Sequence, residues 1–431
     1  MKAATTSATT YQVTEVNALE ILDSRGRPTV QVTVGLADGT VAVAGVPSGA
    51  STGSREAVER RDHDASRYGG LGVLGAVDAV RGEIAGRLRG QAWPDLSAID
   101  AALIDLDGTP NKERLGANAI VGVSMACARA LARAQGRELW DWLTPSGVTP
   151  RLPAPHFNVI NGGVHAANPL DFQEFMIAPL GAGSLPEAVR AGAEVYTALR
   201  GLLASKGHAT GLGDEGGFAP QIAEPEEVLA LLVTAITDAG YVAGRGGVAI
   251  ALDPASSEFR GDDGLYRVAG QKLTSADMIE RYAQIVERFP VWLIEDGLAE
   301  DDWDGWAALT ARLGERVQLV GDDIFVTNPA IITEAISRGI GNSALIKVNQ
   351  IGTVTETLEA MAICRRAGYA QLVSHRSGET TDTFIADLAT GSGCGELKTG
   401  APARGERVAK YNRLIEIAAA EPSLSYGVPG S

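Results

Sequence analysis

Six short apolar runs in the second half of the chain each end on residues that can hold a charge or move a proton. In chain order these residues are Asp253, Glu295 with Asp296, Asp322 with Asp323, Lys347, the stretch 375–377, and Lys398. Carboxylates that meet in a confined site repel one another unless a cation offsets their charge, and their oxygens suit a hard ion such as magnesium. The alternative is that each acid only caps the helix that follows it. An ordered set of six favours a shared site.

Two lysines among these positions point to proton transfer. The chain has 7 lysines and 30 arginines, so lysine is its uncommon cation, yet Lys347 and Lys398 both close an apolar run. Arginine keeps its proton in proteins, whereas lysine can release it when its neighbours depress its pKa. We therefore expect a proton-transfer site, with chance placement or packing as the alternative.

The runs and the segments between them predict a barrel. Runs of four to six apolar residues are typical of strands buried on both faces, and helical patterns such as 275–289 and 353–368 lie between them. Alternating strands and helices at this spacing predict an α/β protein with a (β/α) barrel, whose C-terminal strand ends share one mouth. The six sets of residues would then converge at that mouth.

The first part of the chain predicts a smaller domain. Its predicted elements are a hairpin turn at 37–40, helices at 71–90 and 117–136, a mobile loop at 48–53, and a helix carrying Glu56 and Glu59. A boundary is indicated by Pro145, Pro150, Pro153 and Pro155. We predict a loose tail at 1–10, an N-terminal domain at 11–145 and the barrel at 146–431.

The amino-acid composition indicates which classes of binding partner and which cellular compartment to expect. The net charge is −16 and no basic cluster occurs, which argues against nucleic acid or an anionic membrane as a partner. The three cysteines show no pairing pattern, which fits a reducing cytoplasm. Cys127 and Cys364 fit helix packing, whereas Cys394, in a glycine-rich segment, is expected to be more exposed. No apolar run has the length of a membrane span.

The start of the predicted barrel adds further polar candidates. Glu174 lies between apolar residues of a strand, where a carboxylate is costly unless it is paired or used. His165 follows a glycine pair, and Glu215 precedes another. The glycine-bounded segments 48–53, 161–168 and 211–217 could act as lids that exclude water.

Nine motifs along the chain resemble the enolase family. They are DSRGRPTV, VPSGASTG, GANAIVGVSMA, QEFMIAP, GDEGGFAP, IEDGLAEDDW, KVNQIGT, SHRSGET and KTGAPAR. No single motif is decisive, but their joint order from about Glu15 to Ile417 is specific. The resemblance implies the reversible dehydration of 2-phosphoglycerate to phosphoenolpyruvate with two magnesium ions. It also implies an N-terminal α+β domain, a barrel with an irregular ββαα start, and a homodimer or higher homo-oligomer.

The resemblance also implies roles for individual residues. Asp253, Glu295 and Asp322 would hold the first magnesium, and Ser51 would help to hold the second. Lys347 would be the general base and Glu215 the general acid, with Glu174 beside it. The substrate would be bound by His165, Gln173, Glu174, His375, Arg376, Ser377, Lys398 and Ser51. We expect Lys398 and the metals to lower the pKa of Lys347, and Glu174 to raise the pKa of Glu215.

Several positions depart from the usual enolase motifs and leave a choice of function. They include Arg27, Gln31, Ala167, Pro169, Gly393 and Gly405, and we expect them to lie at the rim of the site. Drift within a glycolytic enzyme would explain them. So would an enolase-like carboxyphosphonoenolpyruvate synthase of phosphonate biosynthesis with the same catalytic set. A non-catalytic binding protein with this fold would not need the acids, lysines and phosphate ligands.

Overall fold

The computed structural model describes residues 10–50 and 52–428. The expected tail at 1–10 therefore lies outside the described residues except for its last member, and Ser51 lies outside them as well. The described chain forms an N-terminal sheet with helices, followed by a closed barrel of eight strands. The predicted α/β barrel with an N-terminal α+β part is confirmed.

The N-terminal part contains one antiparallel sheet and a set of helices. Its strands are β1 (Tyr11–Leu22), β2 (Pro28–Leu36), β3 (Val41–Gly45) and β4 (Ala92–Trp93), and its helices are α1 (Leu74–Ala79), α2 (Ala85–Leu88), α3 (Leu96–Asp107), α4 (Ala117–Ala134) and α5 (Leu139–Trp142). A π-helical turn (Val80–Ile84) joins α1 to α2, and a 3₁₀ turn spans Tyr68–Gly70. The strand order is β3-β2-β1-β4. The predicted hairpin and both predicted helical regions are confirmed.

Helix α4 contacts the sheet closely because small residues line it. A Cβ atom added at Gly122 would lie 2.6 Å from a methyl of Val32 and 2.9 Å from a methyl of Val46. A larger side chain would therefore push the helix away from the sheet. The apolar residues of this helix are buried from Ala117 to Ala128, as expected for close helix packing.

The second part contains the barrel and its surrounding helices. The strands that follow are β5 (Arg151–Leu152), β6 (Ala154–Asn161), β7 (Glu174–Ala178), β8 (Ala249–Asp253), β9 (Tyr266–Val268), β10 (Gln271–Leu273), β11 (Val291–Glu295), β12 (Gln318–Gly321), β13 (Ser343–Ile346), β14 (Ala370–Ser374), β15 (Glu396–Lys398) and β16 (Ser425–Tyr426). The helices are α6 (Leu185–Ser205), α7 (Pro225–Asp238), α8 (Ser275–Arg288), α9 (Trp303–Leu313), α10 (Pro329–Ser337), α11 (Val348–Ile351), α12 (Val354–Ala367), α13 (Phe384–Ser392) and α14 (Gly405–Ala420). Two 3₁₀ turns span Gly163–His165 and Ser256–Phe259.

The barrel is closed by β6, β7, β8, β11, β12, β13, β14 and β15. Strand β7 pairs antiparallel with both β6 and β8, whereas the other neighbours pair in parallel. Because β6 and β7 precede α6 and α7, the expected ββαα start is confirmed. The parallel strands direct their carboxyl ends to one mouth.

The predicted helix around Glu56 and Glu59 is wrong. The described residues from 52 to 63 form a turn and then extended chain. The backbone N–H of Ala57 donates to the carbonyl of Gln350, and that of Val58 donates to Asn111, both at 2.8 Å. These tertiary bonds replace the local hydrogen bonds of a helix, so the segment lies extended across the barrel mouth.

A buried polar layer lies beneath the mouth. Glu396 precedes Lys398 by two residues on β15 and therefore shares its face. Gln318 donates to Oε2 of Glu396 at 2.9 Å, and Nε2 of His156 lies 3.9 Å from the same oxygen. Burial raises the pKa of Glu396 from 4.5 to about 8 and lowers that of His156 to about 3. Both side chains are therefore neutral near pH 7. The expectation that nearby Cys394 would be exposed is wrong, because it is buried.

We expect Glu396→Gln to reduce the loss of stability at alkaline pH. The folded pKa of about 8 lies above the ordinary value of 4.5, so the folded state retains a proton that the unfolded chain releases. This contribution to the free energy of unfolding is complete below pH 4.5 and is lost as the pH rises through 8. The loss in the unmodified protein should be roughly 2–4 kcal/mol. Chemical denaturation at pH 5 and pH 8.5 measures it.

The exposed Glu359 provides a matched control for this substitution. Glu359→Gln should leave the pH dependence of unfolding unchanged, because its carboxyl is solvated in both states. Equal pH dependence in Glu396→Gln and the unmodified protein would contradict a neutral Glu396.

Candidate active site

The six strand ends lie at one mouth of the barrel. Asp253, Glu295 and Lys398 are the last residues of β8, β11 and β15, and Asp322, Lys347 and His375 directly follow β12, β13 and β14. All are buried. One cavity is lined by His165, Gln173, Glu174, Glu215, Asp253, Lys347, Ser374, His375, Arg376, Ser377 and Lys398. The structure thus brings together most of the residues that the sequence singled out, from strands and loops far apart in the chain.

Both lysines bind the carboxylates at the mouth. Nζ of Lys347 lies 2.5 Å from Oδ2 of Asp322. Nζ of Lys398 lies 2.7 Å from Oε1 of Glu295, and 3.3 and 3.4 Å from oxygens of Asp253 and Glu174. Charged groups that are this deeply buried require partners. The lysines therefore neutralise part of the acidic cluster.

Asp296 holds the neighbouring strand end in place. Its two carboxylate oxygens accept the backbone N–H groups of Asp322 and Asp323 at 2.8 and 2.9 Å. Asp296 has φ +41°, a left-handed conformation that is uncommon for a residue with a side chain. Asp296 thus positions Asp322, which directly follows the adjacent strand β12.

The carboxylates fit a hard divalent cation. Burial raises the pKa of Glu295 well above its usual value, and the charges of Asp253 and Asp322 add to the rise. Oε2 of Glu295 and Oε2 of Glu174 are buried without a hydrogen-bond partner among the described residues. Ligand atoms of Asp296, Asp322 and Asp323 lie within 4.8 Å of one another. Unpartnered buried carboxylate oxygens are costly, so a cation would satisfy them.

Two histidines surround Glu174 and Glu215. Nε2 of His375 lies 3.1 Å from Oε2 of Glu215, and Nε2 of His165 lies 3.7 Å from Oε1 of Glu215. Nδ1 of His165 lies 3.9 Å from Oε1 of Glu174. Glu215 also accepts a hydrogen bond of 3.0 Å from Asn158 on β6. Glu215 is therefore contacted by Asn158 and both histidines, and Glu174 by Lys398 and His165.

Arg407 determines the tautomer of His375. The fully buried Arg407 directs its guanidinium at Nδ1 of His375, and it also donates to the carbonyls of Arg376 and Ser377 at 2.7 and 2.6 Å. A guanidinium only donates, so Nδ1 must accept and carries no proton. Burial lowers the pKa of His375 to about 3, so the ring is neutral. Its Nε2 therefore carries the hydrogen, and this nitrogen lies 3.1 Å from Oε2 of Glu215.

The pKa shifts in the glutamate pair differ from our expectation. Burial raises the pKa of Glu174 well above its ordinary value, and the charge of Glu215 raises it further. Burial also raises the pKa of Glu215, but His375 and His165 lower it to well below its ordinary value. The expectation that Glu174 would raise the pKa of Glu215 to keep it protonated is wrong, because the imidazoles favour the ionised form. The two carboxyls are thus shifted in opposite directions, with the pKa of Glu174 raised and that of Glu215 lowered.

The protein groups alone also do not lower the pKa of Lys347. Burial, Arg376 and Lys398 lower it, whereas the charges of Asp322 and Glu295 raise it, and the pKa lies above its ordinary value. The net direction is upward because the ammonium contacts a carboxylate at 2.5 Å. A neutral Lys347 therefore requires another cation at Asp322.

The structure uses three polar residues that the sequence did not reveal as part of the site. Asn158 donates to Glu215, Gln350 donates to Asp322 at 2.8 Å, and Arg407 contacts His375. Arg407 and Lys410 lie three residues apart on α14 and are both fully buried. Cations repeated on an otherwise packed helix face could have indicated them, whereas nothing in the sequence around Gln350 points to Asp322.

Comparisons with known proteins agree along almost the whole chain. A family model described as the enolase N-terminal domain matches residues 13–143, and one described as the enolase C-terminal TIM barrel domain matches residues 149–424. The chain is also 55% identical over 408 residues to a protein named enolase from Rubrobacter xylanophilus (strain DSM 9941), and the match covers 94% of each chain. This chain belongs to the enolase family. It is accordingly an enzyme of the carbon–oxygen lyase class.

The departures from the usual enolase motifs are not all at the rim. Ala167 and Pro169 are exposed in the segment that follows His165. Gly393 instead precedes β15, at the end of the barrel opposite the site, so its expected place at the rim is wrong. Its φ is +65°, and a Cβ there would lie 2.5 Å from the backbone oxygen of Thr149, so the position requires glycine. Arg27 and Gly405 are exposed.

Proposed function

We propose that this enolase-family protein catalyses the reversible dehydration of 2-phosphoglycerate to phosphoenolpyruvate. The observation that carries the proposal is one buried cavity lined by Lys347, Lys398, Glu174 and Glu215. Loss of water from adjacent carbons requires a base to take one proton and an acid to give another. The lysines and the glutamate pair supply both within the same cavity.

In the first step, Nζ of Lys347 takes the proton from C2 of the substrate. The electrons left behind spread into the adjacent carboxylate, which becomes an enediolate with a second negative charge. Lys398 is buried among Glu174, Asp253 and Glu295 and holds a positive charge in a region of low dielectric constant. Charge placed in advance in such a region stabilises the intermediate more than it would in water.

We assign Asp253, Glu295 and Asp322 to one magnesium ion, and Ser51, which lies outside the described residues, to a second. Magnesium held by these residues would supply positive charge that offsets the second negative charge of the enediolate and lowers the pKa of Lys347, so that its amine can release a proton to solvent and act as the base. The unpartnered oxygen of Glu295 supports this assignment.

In the second step, the hydroxyl on C3 leaves as water and the C2–C3 double bond forms. The proton that converts hydroxide into water comes from the Glu174–Glu215 pair, in which we assign Glu215 as the general acid with Glu174 as its proton store. Nε2 of the neutral His375 lies 3.1 Å from Oε2 of Glu215, and His165 lies beside both carboxyls. These contacts keep the pair beside the leaving group.

We assign the substrate phosphate to Arg376 and Ser377, with Ser51 of the 48–53 loop. Gln173 and His165 line the same cavity and would contact the remainder of the substrate. A guanidinium suits a phosphate because its parallel N–H groups match two oxygens. The segments 48–53, 161–168 and 211–217 would then exclude water from the reaction.

The wider setting is also a proposal. We propose domains at 11–145 and 146–431, a homodimer, and glycolytic and gluconeogenic activity in the cytoplasm. No helix among residues 10–50 and 52–428 is long and apolar enough to cross a membrane. All three cysteines are buried and unpaired, which supports a reducing compartment.

The test is formation of phosphoenolpyruvate from 2-phosphoglycerate by the purified protein, followed by absorbance. We expect a turnover within the ordinary range of enzymes, about 1–10³ per second. A rate thousands of times lower would reject this substrate. Turnover of a phosphonate analogue in the same assay would then favour the carboxyphosphonoenolpyruvate synthase, and no turnover of either would favour a binding protein.

A further inference from the structure

A carboxylate from the N-terminal part of the chain holds the guanidinium of Arg376. Oε2 of Glu56 lies 2.9 Å from one terminal nitrogen of Arg376, and Oε1 lies 3.1 Å from the other. The side chains are 9% and 3% exposed. Two parallel charge-assisted hydrogen bonds fix the plane of a guanidinium as well as its position. Arg376 is thus oriented by a residue 320 positions away in sequence.

The same carboxylate links three parts of the site. Oε1 of Glu56 accepts a hydrogen bond of 3.2 Å from the backbone N–H of Gly53 and one of 3.3 Å from Nε2 of Gln350. Nε2 of Gln350 also donates to Oδ1 of Asp322 at 2.8 Å. Glu56 therefore connects the loop backbone, Arg376 and, through Gln350, a strand-end carboxylate.

Glu56 borders a cavity as well as making these contacts. A cavity of about 270 Å³ between the N-terminal segment and the barrel is lined by Glu56, Asn349, Arg376 and residues of the loop, including Gly49 and Gly53. Asn349 accepts a further hydrogen bond of 3.0 Å from Arg376. A carboxylate placed at such an opening can affect ligand binding in a way that a residue packed in the core cannot.

We infer that Glu56 is a positioning residue that orients Arg376 toward the phosphate group of the substrate. The inference rests on the proposed assignment of Arg376 as a phosphate ligand. An arginine side chain has many rotamers, and a ligand that must order it binds more weakly. Because Glu56 also bonds Gly53 and Gln350, it aligns the phosphate ligand with the loop and with Asp322.

The test is Glu56→Gln, measured with 2-phosphoglycerate and with inorganic phosphate. The amide keeps the shape of the side chain, but its NH₂ group faces an N–H of the guanidinium and breaks the paired contact. We expect KM for 2-phosphoglycerate and the calorimetric Kd for inorganic phosphate to rise at least about tenfold, with kcat changed less than about threefold. Glu56→Asp keeps the charge at a shorter reach and should give intermediate values even if the amide variant folds poorly.

Glu59→Gln is the matched control. Glu59 lies three residues away and bonds Ser48 and Arg61 rather than Arg376, so neither KM nor Kd should change more than about twofold. An unchanged or lower KM and Kd in Glu56→Gln would overturn the inference, the lower values because they would mean that Glu56 competes with phosphate.

A double-mutant cycle separates positioning from folding. If Glu56 acts through Arg376, adding Glu56→Gln to Arg376→Gln should change the Kd for inorganic phosphate by less than about twofold. An equal loss in both backgrounds would show that Glu56 acts on the fold, and the inference would fail. Phosphate binding does not require turnover, so this result stands even if the unmodified protein forms no phosphoenolpyruvate, which would reject only the proposed function.

Discussion

Lys347→Ala should abolish exchange of the C2 proton of 2-phosphoglycerate with solvent. Lys347 is the group assigned to remove that proton, and an alanine leaves no base in its place. A positioned general base contributes about 10²–10⁴-fold, so exchange and dehydration should both fall by at least that factor. Loss of deuterium from C2-labelled substrate, followed by NMR, measures exchange independently of product formation.

Two further variants separate proton transfer from charge. Lys347→Arg keeps a cation beside Asp322 but cannot release its proton, so it should lose exchange as well. Glu215→Gln should retain exchange within about tenfold while dehydration falls about 10²–10⁴-fold, because only the second step uses the acid. Exchange lost equally in the lysine and glutamate variants would contradict the assigned roles.

Removal of divalent metal should reduce dehydration at least about 1,000-fold. This factor corresponds to about 4 kcal/mol of charge stabilisation. Among the described residues, the cations that contact the buried carboxylates at the mouth are singly charged side chains, which cannot replace a divalent ion. Added magnesium should restore the rate. The chelated protein should also melt at a lower temperature, because a cation that binds only the folded state stabilises it.

A carboxylate variant tests where the metal binds. Asp322→Asn should lose the magnesium-dependent rise in melting temperature, whereas Glu359→Gln, on the exposed face of α12, should retain it. Activity that survives thorough chelation would rule out the three-carboxylate site. A full magnesium shift in Asp322→Asn would place the ion elsewhere.

The strand ends of the barrel could be predicted from the apolar runs in the sequence and from the rule that parallel barrel strands point in one direction. Each apolar run that stops at a polar residue defines a buried strand and its end, as for Asp253 and Lys398. Parallel barrel strands direct all such ends to one mouth, so convergence required no knowledge of side-chain packing. Helices such as α8 and α12 were equally evident, because their apolar residues recur at the helical period.

The segment at Glu56 shows why local pattern was not sufficient elsewhere. Residues 54–60 have a composition that suits a helix, but Ala57 and Val58 donate their backbone hydrogen bonds to Gln350 and Asn111. Partners that lie tens to hundreds of residues away in sequence cannot be found from helix propensity. The bond from Glu56 to Arg376 follows from that extended path, so only the tertiary structure revealed it.

The sequence by itself determined the barrel and the residue types at its mouth, and the resemblance of its motifs to the enolase family implied the irregular start. Only the tertiary structure decided in which direction the pKa values of those residues shift. The neutral His375 carries its hydrogen on Nε2, 3.1 Å from Oε2 of Glu215, because Arg407, on the last long helix, directs a donor at its other nitrogen. In the glutamate pair, the pKa of Glu174 is raised and that of Glu215 is lowered. A pKa depends on burial and on charges within a few ångströms, and those neighbours come from distant parts of the chain.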